Sequence, residues 1–298
     1  MRFPLNFVIG SIMIIFVLTA AVVSLFWTPH SHSELNISMK FAEPSMLYWL
    51  GTDQLGRDVV SQLMVAAQNS VQVALLAVFF GGAIGTFLGL TASAIGGVVE
   101  DIIMRLADLG FAFPALLFAI MLAASLGPSL NNAIIAIAFI NIPIFARVSR
   151  GSANQIWQRE YVAASKASGL TKFKISIDHI LPNIMAPIIV QATIEFAVAI
   201  LAEAALSYLG LGAQPPQPSW GRMLSEAQTL MYLAPELAIY PGICIIIAVI
   251  GFGLLGDGLR DILDPKYYSE DIECGKKLHA EFSTRQYENS RMIYGAED

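Results

Sequence analysis

From Leu109 to Ala146 the chain reads LGFAFPALLFAIMLAASLGPSLNNAIIAIAFINIPIFA, roughly 38 residues without a charged side chain. As one straight helix rising ~1.5 Å per residue, this run would far exceed the ~30 Å hydrocarbon core of a bilayer, so the chain has to turn back. Gly127-Pro128-Ser129, followed by Asn131-Asn132, is the cluster of turn formers that marks the reversal. The run therefore reads as two membrane spans, with Pro114 and Pro143 at interface or kink positions where neighbouring helices can satisfy the freed carbonyls.

The flanking sequence repeats the pattern. Upstream, an apolar stretch from Phe7 to Trp27 is longer than the ~7–15-residue core of a cleavable leader and reads as a retained first span, with a leader as the alternative. The polar stretch from Thr28 to about Ser61 carries His30, His32, Glu34, Lys40, Glu43, Asp53, Arg57 and Asp58 and reads as an aqueous loop. A second span is expected over Val71–Ile95, where Gly81, Gly82, Gly85 and Gly89 suit close helix packing in lipid. Glu100, Asp101 and Arg105 read as a short aqueous turn before the third span. Downstream of the fourth span lies the most basic segment, Arg147 to Asn183. A fifth span follows over Ile184–Leu209, then a Pro-rich loop over Gly210–Pro235 and a sixth span over Leu237–Leu255. The expected organisation is an N-terminal span over 1–28, a periplasmic loop over 29–69, a five-span core over 70–265 with a cytoplasmic loop over 151–183, and a polar cytoplasmic tail over 266–298.

Composition agrees with an all-α integral membrane protein of about six spans. The 298 residues are 56% hydrophobic and 13% charged, against roughly 25% charged in a soluble domain. A net charge of −6 argues against a nucleic-acid partner, because phosphate binding needs clustered Lys and Arg. Cys244 and Cys274 make no disulfide framework, and His30, His32, His179 and His279 make no metal-ligand set. With both termini in the cytoplasm, the outer loops hold only Lys40, Arg57 and Arg222 of the 17 basic residues, as the positive-inside rule requires.

Ionisable groups within or beside the spans are the next candidates. Glu195 and Glu203 lie in the fifth span, where a carboxyl is costly to keep and so marks a substrate path, a proton carrier or a structural bond. Asp108 has Arg105 three residues before it, the spacing of a helical ion pair. Arg57 can pair with an acid and fix the first loop, which Gly51 and Gly56 let turn tightly. No phosphate-binding G-x-x-x-x-G-K-[ST] pattern is present, since Gly275-Lys276-Lys277 lacks its glycine and hydroxyl, so ATP hydrolysis on this chain is not expected. No nucleophile sits in a recognisable catalytic pattern either.

The segment Arg159-Glu160-Tyr161-Val162-Ala163-Ala164-Ser165-Lys166-Ala167-Ser168-Gly169, closing with Leu181-Pro182-Asn183, makes the reading specific. It resembles the EAA loop of ABC importer permeases, whose pattern is Glu-Ala-Ala, three residues, Gly, and a later Leu-Pro. The motif alanines fall on Ala164 and Ser165, and the glycine on Gly169. Ala163 stands where the motif has glutamate, a departure that Glu160, three residues earlier on the same helix face, partly offsets. Small residues let such a helix seat closely in a partner, and Gly169 can end it without a Cβ penalty.

Further motifs resemble the C-type permeases of peptide and nickel importers. They are Leu50-Gly51-Thr52-Asp53-Gln54-Leu55-Gly56-Arg57-Asp58-Val59, Arg105-Leu106-Ala107-Asp108 with Phe113-Pro114, Ala202–Gly212, Pro218-Ser219-Trp220-Gly221 and Leu255–Pro265. The resemblance implies a type I ABC importer permease fold in the bacterial inner membrane. It implies a homologous second permease, two ATP-binding subunits that hold ATP and Mg, and a periplasmic or lipid-anchored substrate-binding protein, all within membrane lipid. The ATPase-coupling role then falls on Glu160, Tyr161, Ala163, Ala164, Ser165, Gly169, Leu181 and Pro182. Peptide is the implied substrate, with nickel or a metal chelate as the alternative. The rivals from other classes are a proton-coupled secondary transporter using Glu195 or Glu203, and a membrane enzyme, which lacks an evident catalytic set.

Overall fold

The computed structural model describes residues 4–112 and 114–263. Arg2, Phe113, Asp264-Pro265, Cys274, His279 and the tail over 266–298 lie outside the described residues. Every regular element described is helical: α1 (Leu5–Val23), α2 (Val59–Ile95), α3 (Gly97–Ala112), α4 (Ala115–Leu126), α5 (Leu130–Trp157), α6 (Glu160–Ala167), α7 (Lys172–Ile175), α8 (Leu181–Tyr208), α9 (Trp220–Gln228) and α10 (Glu236–Leu263), with a 3₁₀ turn at Ile37–Met39 and a π-helical turn at Ser176–Ile180. Five rods are long and apolar enough to span a bilayer: α1, α2, α5, α10, and the continuous Lys172–Tyr208 segment that joins α7 to α8. The remaining span is broken, because α3 and α4 are bent by 82° about Pro114, which caps α4.

The reversal expected between the third and fourth spans occurs where the turn residues put it. Gly127 takes a positive φ of 83° and Ser129 caps α5, its Oγ accepting from the Asn132 N–H. α2 and α5 form the most extensive pair. An added Cβ at Gly85 or Gly89 would collide with the backbone carbonyls of Ile142 and Ala146, so these positions permit the close approach that supplies dispersion contact in lipid. At the other edge α1 packs on α10, where the Gly258 backbone meets Phe7, and Gly256 lies against Thr193 of α8.

Four boundaries differ from the sequence reading. α2 starts at Val59, not near residue 70, because its first three turns bury polar side chains against other parts of the chain; Ser61, Gln62, Asn69 and Ser70 are all buried. Hydropathy cannot separate such a stretch from a loop. Glu100, Asp101 and Arg105 lie inside α3, and the turn falls at Gly96-Gly97, both with positive φ. α5 continues to Trp157 and α8 starts at Leu181, which narrows the basic loop to 158–180. The Gly210–Pro235 loop contains a helix, α9. The Asp108 partner also differs: Arg147 of α5 donates to it at 2.5 Å, so the pair ties α3 to α5 instead of stapling α3 to itself.

Candidate functional site

The 158–180 loop is organised by one apolar side chain. Val162 is fully buried and packs with Ala153 of α5, Ile175, Ile180, and Ile184 of α8 in a small core separate from the main one. Leu170 and Leu181 flank the same core. With Val162 inward, Glu160, Tyr161, Ala163 and Ala164 point to the exterior, and Ser165 is half-buried with its Oγ donating to the Tyr161 carbonyl at 2.9 Å. The α6 terminus is a Schellman closure: Gly169 N–H donates to the Lys166 carbonyl at 3.0 Å and Leu170 N–H to the Ser165 carbonyl at 3.3 Å. Gly169 adopts φ +81°, with nothing near enough to touch an added Cβ. Backbone conformation, not space, selects glycine there.

Leu181 and Pro182 follow the π-helical turn without a break in the rod, at the first two positions of α8. The structure thus brings Glu160–Gly169 and Leu181-Pro182 onto one small core. It presents the short, small-residue face of α6 to the exterior, with Lys166 lying over the Trp157 ring at 4.7 Å.

Glu195 and Glu203 are elsewhere, on α8, and they are held differently. Glu195 is buried and accepts from Gln191 Nε2, one turn away on its own helix, at 2.8 Å. Glu203 is fully buried between elements. Its carboxylate accepts from Ser70 Oγ of α2 and from Ser207 Oγ, both at 2.6 Å, and Ser207 Oγ in turn accepts from the Ala213 N–H.

The polar partners around Glu203 are what sequence reasoning missed. Asn69 Nδ2 donates to the Pro218 carbonyl at 2.7 Å and Trp220 Nε1 to the Leu63 carbonyl at 3.3 Å. These bonds fasten α9, which Ser219 caps through the Arg222 N–H, against α2 and α8. A serine before Trp220 was the one legible signal of a helix start. Arg57 completes this end of the molecule, bonding Asp53 at 2.6 Å and Glu226 of α9 at 2.9 Å. Burial works against the Arg57 charge, but the two carboxylates outweigh it and its pKa moves above the ordinary value.

Long apolar rods, one broken span and an exposed short helix braced between two spans define a multi-pass α-helical membrane protein. Residues 81–268 match the family described as "Binding-protein-dependent transport system inner membrane component". The chain is 44% identical over 262 residues to the dipeptide transport system permease protein DppC of Alkalihalophilus pseudofirmus, covering 88% of this chain and 86% of the relative. It is 44% identical over 223 residues to the glutathione transport system permease protein GsiD of Escherichia coli O6:K15:H31, covering 75% and 74%. It is 38% identical over 259 residues to the probable D,D-dipeptide transport system permease protein DdpC of Escherichia coli K12, covering 87% of each. Among solved structures, an inward-facing MetNI methionine ABC transporter aligns with a TM-score of 0.57 at 17% identity, over 68% of this chain and 96% of that one, a likeness of fold. The chain belongs to the binding-protein-dependent transport system inner membrane components, as a C-type ABC importer permease of the peptide/nickel branch with the type I fold.

Proposed function

We propose that this chain is one of two homologous permeases enclosing the path of a peptide importer, and that ATP is hydrolysed on two separate subunits docking against α6. The observation that carries this reading is the Val162-anchored helix whose outward face is Tyr161, Ala163 and Ala164, beside relatives named for dipeptide and glutathione transport. ATP and Mg then belong to the docking subunits, and a separate binding protein delivers peptide to the opposite face. Residues 158–180 and both termini face the cytoplasm, since all but Lys40, Arg57 and Arg222 of the 17 basic residues fall on that side.

Motion of the ATPases enters through α6, passes by Val162 to Ala153 of α5 and Ile184 of α8, and tilts those rods between outward-open and inward-open arrangements. The peptide biases that equilibrium only by binding the two arrangements differently. Glu203 is a positioning residue, since both of its oxygens already hold serines.

The test is to reconstitute the importer with Ala163→Trp and Ala164→Trp, which thicken the docking face while leaving Val162 in place. Labelled dipeptide uptake should fall at least tenfold, and co-purification with the ATP-binding subunit should be lost, with membrane insertion unchanged. Normal uptake and normal peptide-stimulated ATPase activity in both variants would remove the docking assignment. Uptake by the lone chain, driven by a pH gradient, would favour the secondary-transporter reading.

A further inference from the structure

A groove of about 760 Å³ lies between the second half of α2 and the α7–α8 rod. It lies within the ~300–1,000 Å³ range of small-molecule sites. Its walls are mostly apolar, with Phe79, Ala83 and Phe87 on α2 facing Phe173 and Met185, and the hydroxyls of Thr86, Thr91 and Ser176 among them. Along α2 it runs from Phe79 to Ile95, roughly 24 Å at 1.5 Å per residue, which is longer than one ~15 Å leaflet of the hydrocarbon core. One end therefore lies deep in the bilayer and the other, where α2 ends, at its surface. At the surface end stands Lys172, exposed, its Nζ donating to the Ile95 carbonyl at 3.4 Å. Among the described residues no carboxylate comes within ion-pair distance of that ammonium.

We propose that this groove holds one anionic phospholipid, its acyl chain along α2 and its phosphate on Lys172. The groove is a poor path for peptide, because backbone amides pressed against these walls would lose their hydrogen bonds. It is a poor seat for a partner helix unless that helix brings a carboxylate, since closing protein over Lys172 would bury an unpaired charge. A phospholipid meets both demands, with hydrocarbon for the walls and a negative group at the membrane surface, where basic side chains between spans attract such headgroups. The site does not depend on which substrate the importer carries.

The importer, purified with its partners, is exchanged into phosphatidylglycerol or phosphatidylcholine of matched chains, and retained lipid is counted by native mass spectrometry. Wild type should retain phosphatidylglycerol over phosphatidylcholine. Lys172→Gln, a surface change that leaves folding intact, should reduce that preference about fivefold, as one lysine at a charged membrane surface implies. Ala83→Trp, filling the groove from its exposed side, should abolish retention of both lipids at this stoichiometry. Equal retention of the two lipids by wild type would overturn the proposal, as would unchanged preference in Lys172→Gln. So would a disulfide between Ala83→Cys and a cysteine introduced in the second permease, which would show the groove to be protein-covered.

Discussion

The two ends of this molecule are built on opposite plans. At the Asp53–Arg57 and α9 end, polar side chains are turned inward and bonded to one another: Glu203 to Ser70 and Ser207, Arg57 to Asp53 and Glu226, Asn69 to the Pro218 carbonyl. At the α6 end an apolar residue, Val162, is turned inward and the small and polar ones outward. Most buried donors and acceptors of the first end find partners within the one chain, the exceptions among the described residues being His30 Nδ1 and Asp58 Oδ1, which are buried without a hydrogen bond. The second is complete only as a base, with its upper face left to something else. Damage to the first should register as lost stability, and damage to the second as lost coupling.

The largest stability effect is expected from Glu203→Ala. It strips the acceptor from two buried serines and leaves a cavity, costing about 3 kcal/mol. Thermal unfolding of the purified chain should show it, and an unchanged midpoint would mean that the carboxylate is not what fastens α8 to α2. Arg57→Ala should cost less, about 2 kcal/mol, because Glu226 is partly exposed and can be rehydrated. Its effect should be additive with a change at Gly169, far away in the fold; strong non-additivity would mean that the two ends are not independent in stability. Gly169→Ala should cost about 1 kcal/mol for a Cβ at φ +81°. That loss should be confined to α6, seen as faster hydrogen exchange at the Gly169 and Leu170 amides with little change in global unfolding. Protection unchanged at both amides would refute the Schellman closure as the stop signal.

Much of the inner end was legible because its grammar is local. The Gly169 stop and the spacing from it to Leu181-Pro182 are read from residues close together in the chain, as is the Gly127-Pro128-Ser129 reversal on the opposite side. The outer end was not, because its bonds join distant parts of the sequence: Ser70 meets Glu203, and Asn69 meets Pro218, across more than a hundred residues each. For the same reason the first turns of α2 looked like loop. Gln62, Asn69 and Ser70 are polar by composition, and only their distant partners make them interior. α9, nine residues beside a proline-rich run, is too short to announce itself by periodicity. Asp108 shows the same limit in one residue: three-residue spacing named Arg105, and the fold chose Arg147 from another helix.

α2, 37 residues without a proline, carries both Ser70, which binds Glu203, and Leu90, which rests against the base of α6. Those two points are about 30 Å apart on one unbroken helix. A tilt imposed at either face of the membrane is therefore carried to the other by a single stiff girder, with no joint in which the displacement could be absorbed.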